Sequence, residues 1–177
     1  MKYLIVYGTG EGQTRKIARF IETVLDESGH QATIADATEE PPGPDAYEAI
    51  IIGSSIHTNS YHNAVKQYIL QHSAALNHKK SAFFSVGMAM ASHIAEEQEE
   101  VYSMTGKFLE QTGWKPDKIW YLAGALRFTK YDYFKRLVMR LMAKRQGITV
   151  DTASDYEYTN WDELKASIAD FEISGTD

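Results

Sequence analysis

No cysteine occurs among the 177 residues. That absence excludes disulfides, thiolate metal sites, Cys-X-X-Cys redox chemistry and cysteine nucleophiles together, so redox chemistry would have to come from a bound cofactor. Proline is almost as scarce. Three of the four stand in Pro41-Pro42-Gly43-Pro44, a stretch that can continue neither a helix nor a central strand and is read as an exposed loop. No apolar run approaches the roughly 18 residues of a membrane helix. Met1 to Tyr7 also lacks the longer apolar stretch and cleavage site of a secretory signal, which makes the cytoplasm the expected compartment. A basic balance is missing too: at a net charge of −6 the chain as a whole lacks the face that phosphate neutralisation requires, and nucleic acid is not an expected partner. No internal repeat or low-complexity linker marks a boundary, so residues 1–177 are read as one domain.

What is present is the composition of a globular protein, 44% hydrophobic and 24% charged. Lys2 to Tyr7, Ala49 to Gly53, Ser81 to Val86 and Lys118 to Ala125 are short, nearly continuous apolar runs, the pattern of strands covered on both faces; Ala32 to Ala37 is a further strand candidate. Between them Gln13 to Ser28, Tyr61 to Leu76 and Glu96 to Gln111 carry apolar residues at three- and four-residue steps and predict helices, followed by helices over about Tyr131 to Arg145 and Trp161 to Glu172. Gly87 to His93 fits neither pattern. Five strands alternating with helices predict a parallel sheet with right-handed crossovers. Periodicity leaves the strand order open between a flavodoxin-like 2-1-3-4-5 sheet and a truncated dinucleotide-binding fold.

Gly8-Thr9-Gly10-Glu11-Gly12-Gln13-Thr14 stands between the first strand and the first helix. Glycines there let backbone N–H groups approach an anion, Thr9 and Thr14 add hydroxyl donors, and the helix turns its positive end to the same place. The loop reads as a phosphate cradle. It lacks the Lys-Ser/Thr of a P-loop, which argues against ATP or GTP hydrolysis. Gln13 also replaces the third glycine of a dinucleotide fingerprint, although Asp36 falls near the place of a ribose-binding acid, so a nicotinamide dinucleotide is kept as an alternative.

Thr9-Gly10-Glu11-Gly12-Gln13-Thr14 resembles the FMN-phosphate loop of flavodoxins, with Glu11 where a hydroxyl is usual; an acid beside a phosphate is unfavourable, so its side chain is expected to turn outward, with Arg15 offsetting its charge. The acid followed by Gly-Gln-Thr-Arg is similar to the menaquinone-dependent protoporphyrinogen IX dehydrogenases of bacterial haem synthesis. Further segments resemble that family in the same order: Gly53-Ser54-Ser55-Ile56-His57 with Tyr61-His62, Ala82 to Val86, Lys107-Phe108-Leu109, Trp114-Lys115-Pro116-Asp117, Ala123 to Phe128, and Tyr158-Thr159-Asn160-Trp161. One segment departs, because Met88 to Glu100 carries Glu96, Glu97, Glu99 and Glu100 where the family's best-known members have a basic loop.

The resemblance implies an α/β, flavodoxin-like three-layer sandwich with a five-stranded parallel sheet in the order 2-1-3-4-5. It implies FMN held by Thr9, Gly10, Glu11, Gly12, Gln13 and Thr14 at the phosphate, with Ser54, Ser55, Ile56, His57, Thr58 and Asn59 on one side of the ring and Ser85, Val86, Gly87 and Met88 on the other. It further implies an enzyme that passes electrons from a porphyrinogen to a respiratory quinone. A flavodoxin-like electron carrier serving a protein partner and an NAD(P)H-dependent quinone or flavin reductase are the alternatives. A phosphoacceptor receiver domain is discounted, because the third strand ends in Gly53-Ser54 and lacks the aspartate.

His57 is the expected catalytic residue, placed to take a proton released on substrate oxidation. His62 and Tyr61 are secondary candidates that could equally cap or pack the start of a helix. No residue cluster has metal-ligand spacing, and no metal is expected. Between Arg127 and Arg145 seven basic side chains face the single acid Asp132, a local net charge of +6. The helix containing Lys135, Arg136, Arg140, Lys144 and Arg145 reads as a solvated basic face, or as peripheral contact with an anionic inner membrane or with substrate carboxylates.

Overall fold

The computed structural model describes residues 1–126, 143–145, 147 and 155–174. The main sheet holds five parallel strands: β1 (Lys2–Gly8), β2 (Gln31–Asp36), β3 (Ala49–His57), β5 (Lys80–Gly87) and β6 (Lys118–Ala123). A two-residue strand, β4 (Ser60–Tyr61), pairs antiparallel with the end of β3. The order is β2-β1-β3-β5-β6, which is the expected 2-1-3-4-5 once the short β4 is passed over. Helices α1 (Gln13–Glu27), α2 (Asn63–Leu76), α3 (Ala95–Thr112) and α4 (Trp161–Ile173) cover the sheet. None of the described helices is long and apolar enough to cross a membrane.

The continuous apolar runs follow from cover on both faces. Alternate residues of one strand enter opposite cores: Tyr3, Ile5 and Tyr7 of β1 pack with Ile17, Ile21 and Leu25 of α1 and with Leu164, Ile168 and Phe171 of α4. Leu4 and Val6 pack on the other face with Val65 and Ile69 of α2 and Phe108 of α3. In register, Tyr7 lies opposite Gly53, and Gly53 opposite Phe84. A Cβ at Gly53 would land inside the Phe84 ring, so this position admits only glycine while Phe84 stays buried. Gly8 pairs with Ser54 and Ser54 with Ser85, which brings the ends of β1, β3 and β5 to one edge. The chain leaves β1 for α1 on one face and β3 for α2 on the other, so that edge is the switch point where open α/β sheets bind ligands.

Three local expectations are corrected. The third strand does not stop at Gly53; Ser54 to His57 remain in β3 and fold back onto β4 as a hairpin. Its tip, Thr58 and Asn59, has φ of 46° and 57°, the left-handed pair that a tight hairpin turn demands. Tyr61 consequently belongs to a strand, and α2 begins only at Asn63. The last long strand ends at Ala123, since the chain breaks at Gly124 and Ala125–Leu126 (β7) pair instead with Tyr156–Glu157 (β8). The segment that fitted no pattern opens with a short 3₁₀ turn, Met88–Ala91. Of the expected basic helix only residues 143–145 are described, and they are helical; Lys135, Arg136 and Arg140 lie outside the described residues.

Candidate functional site

The loop between β1 and α1 is shaped around glycine. Gly12 has φ of 94°, and its N–H donates to Thr9 Oγ1 at 2.8 Å, closing the turn. No side chain caps the N-terminus of α1, so its first N–H groups face the loop with the positive end of the helix behind them. Thr14 is completely buried, yet its Oγ1 has no hydrogen-bond partner. A buried hydroxyl without a partner, at a helix start that no side chain caps, is what an anion would satisfy. The Gln13 side chain is used differently: Nε2 donates to Thr159 Oγ1 at 2.9 Å, and that hydroxyl donates to the Ala123 carbonyl at 2.7 Å. Thus Gln13 ties the loop to the carboxyl end of β6.

The β3–β4 hairpin makes the second wall. Ser55 Oγ is also buried and without a partner. Ser54 is satisfied within the protein, accepting from the His62 N–H at 2.9 Å and donating to the Ser55 carbonyl at 3.2 Å. His57 is exposed, and its ring lies against Gly10, where an added Cβ would stand 2.9 Å from Cδ2. Gly10 is therefore the position that lets the hairpin side chain approach the loop. His62 takes the capping role, its Nδ1 accepting from the Ala64 N–H at 3.3 Å.

The end of β5 makes the third wall. Ser85 lies beneath it, bonded at 2.8 Å to the Tyr61 hydroxyl, which also meets Thr105 Oγ1 at 2.6 Å. Thr105 in turn donates to the Val101 carbonyl at 2.7 Å. Burial raises the Tyr61 hydroxyl above its ordinary pKa against the opposing effect of these bonds, so it stays protonated and braces the hairpin on α3.

These walls enclose one cleft of about 1040 Å³, at the upper end of the 300–1,000 Å³ usual for a single small ligand. Thr9, Glu11, Gln13, Thr14, Ser55, Ile56, His57, Thr58, Asn59, Val86, Gly87 and Met88 border it, whereas the expected site residues Gly10, Gly12, Ser54 and Ser85 do not. Glu11 is among the residues that border the cleft. Residues not foreseen are Lys66 and the inward stripe of α3: Glu97, Glu100, Val101, Met104, Lys107, Phe108 and Gln111. Their three- and four-residue spacing was the available signal, since it puts them on one helix face. Asp36 is absent from this border and engaged elsewhere. Burial raises its carboxyl, but bonds from the Thr38 N–H and hydroxyl and from Tyr7, with His62 nearby, outweigh that and hold it below its ordinary value.

A flavodoxin-domain family model matches residues 4–153. The protoporphyrinogen IX dehydrogenase [quinone] of Escherichia coli K12 is 35% identical over 165 residues, covering 93% of this chain and 91% of the relative. The protein of the same name from Leishmania major is 30% identical over 172 residues, covering 96% of this chain and 74% of that one. Among solved structures, oxidised flavodoxin 1 from Bacillus cereus aligns over 97% of each chain with a TM-score of 0.58 at 13% identity. An NADH:FMN oxidoreductase in its apo form covers 98% of this chain and 89% of its own, with a TM-score of 0.55 at 14% identity. These structural likenesses speak for the fold. The flavodoxin domain in turn marks a flavin-binding protein, consistent with the unsatisfied Thr14 hydroxyl. By identity along nearly its whole length, the chain belongs to the protoporphyrinogen IX dehydrogenase family of flavodoxin-domain proteins.

Proposed function

We propose that the protein binds FMN in this cleft, oxidises a porphyrinogen and delivers the electrons to a quinone. The observation that carries the reading is the buried, unpartnered Thr14 hydroxyl at the uncapped start of α1, at the head of a cleft in a chain whose relatives bear that enzyme's name. Thr9, Thr14 and backbone N–H groups of the loop other than that of Gly12 hold the phosphate. The hairpin residues Ser55 to Asn59 and the segment Val86 to Met88 flank the ring, with Ser54 and Ser85 fixing those walls from below. FMN supplies two-electron redox chemistry when bound, so a six-electron oxidation of the porphyrinogen takes three turnovers.

His57 takes up a proton released from the substrate. It is exposed at the cleft border, against the loop, and free to exchange that proton with solvent. Tyr61, buried and held protonated by burial, serves as a brace and not as a base. The test is anaerobic reduction of the purified yellow protein by protoporphyrinogen IX, followed by reoxidation with a menaquinone analogue. Release of FMN on denaturation and both half-reactions are expected. A protein that exchanges electrons only with a reductase is a carrier, and one reduced by NAD(P)H but not by porphyrinogen is a nicotinamide-dependent reductase.

A further inference from the structure

Beyond the hairpin the cleft continues between α2 and α3, past the residues assigned to the cofactor. The α3 wall is graded. Glu97 and Glu100 occupy its first turns, Val101, Met104 and Phe108 form an apolar middle, and Lys107 lies about 15 Å along the helix from Glu97. From the α2 side Lys66 Nζ donates to Gln111 Oε1 at 3.0 Å. Lys107 and Gln111 are one helical turn apart on the same face, so Lys107 borders the same end of the cleft as Lys66.

Neither lysine forms an ion pair with a carboxylate among the described residues. Lys66 from α2 and Lys107 from α3 thus bring two cations to the border of the cleft. At the opposite end, Glu97 Oε2 is buried without a hydrogen-bond partner. Charge thus runs from negative to positive along an apolar stripe.

We propose that this stripe is the substrate compartment, with Lys66 and Lys107 receiving the carboxylates of a ligand whose apolar ring lies on Val101, Met104 and Phe108. Glu97 and Glu100 disfavour the reversed orientation by placing like charge against the carboxylates. The proposal rests on the porphyrinogen reading for the identity of the ring, since protoporphyrinogen carries two propionate arms on adjacent pyrroles. It makes Lys66 and Lys107 specificity residues that act on binding.

The experiment titrates flavin-loaded protein with protoporphyrin IX and with its dimethyl ester, following porphyrin fluorescence, and measures KM and kcat for the porphyrinogen. Wild type should prefer the diacid. Lys66→Gln with Lys107→Gln should raise the diacid Kd about tenfold, as expected for the loss of two solvent-screened ion pairs. Ester binding and flavin content should stay unchanged. KM should rise with kcat nearly constant, and Lys66→Arg with Lys107→Arg should restore diacid preference. Equal diacid binding by wild type and the Gln variant, or no preference of wild type for the diacid, overturns the proposal. Lysine-dependent diacid binding without oxidation removes the enzymatic reading and leaves this one standing; oxidation with no dependence on the lysines does the reverse.

Discussion

Replacing Thr14 with valine separates what its hydroxyl costs the empty protein from what it gives the bound one. The side chain is fully buried and Oγ1 has no protein partner. An unsatisfied buried hydroxyl costs about 1–3 kcal/mol, and an apolar group of the same shape removes that cost. Apo Thr14→Val should therefore be at least as stable as apo wild type, with an equal or higher urea midpoint. With phosphate bound, the same hydroxyl makes a charge-assisted bond worth about 1.5–3 kcal/mol, so the variant should bind FMN roughly 10- to 150-fold more weakly. The assay is titration of apoprotein into FMN with flavin fluorescence, paired with urea unfolding of both apoproteins. The two effects have opposite sign, which ordinary structural damage would not produce. An unchanged FMN Kd, or an apoprotein destabilised by more than about 1 kcal/mol, would refute the assignment of Thr14 to the phosphate.

Gly53→Ala should be severely destabilising because its Cβ collides with the buried Phe84 ring, by about 1–3 kcal/mol or more in urea unfolding. Gly10→Ala collides only with the exposed His57 ring, so its midpoint should hardly move while FMN affinity falls; equal loss in the two would contradict this division. Thr58 has φ of 46°, unfavourable for a β-branched residue, and Thr58→Asn should stabilise the hairpin by about 1 kcal/mol, measured as a raised urea midpoint. For Glu157, burial raises the carboxyl, but bonds from Lys16, Trp161 and Gln13 outweigh it and hold the folded value below 4.5. A lowered folded pKa adds stability that is complete above the unfolded value and is lost as pH falls through the folded one. Lys16 is half exposed and Glu157 a quarter exposed, so Glu157→Gln should cost under about 1 kcal/mol at neutral pH. That gap should close well below pH 4.5; a gap that persists in acid would mean the loss is not electrostatic.

The alternation of apolar runs with helical periodicity, and the glycines before α1, were enough to read the five long strands, helices α1 to α4 and the turn that opens α1, because each depends on local pattern. Burial on both faces writes itself into β1 as an unbroken YLIVY. The hairpin was not readable: Thr58-Asn59 is not a usual left-handed turn pair, and β3 is held beyond Gly53 by register with β5 and by the return of β4. Nor could composition distinguish the roles of neighbouring serines. Ser54 is consumed by the His62 N–H while Ser55 is left open, a distinction set by the alternation of side chains across a strand. The link from Gln13 to Thr159 joins residues 146 apart in the chain, and the convergence of Lys66 with Gln111 joins two helices. Contacts of that kind leave no periodic trace. The sequence by itself determined the layers and the glycine loop before α1, through burial and glycine; only the packing of α3 against the hairpin decided the size of the cleft and the charges that line it.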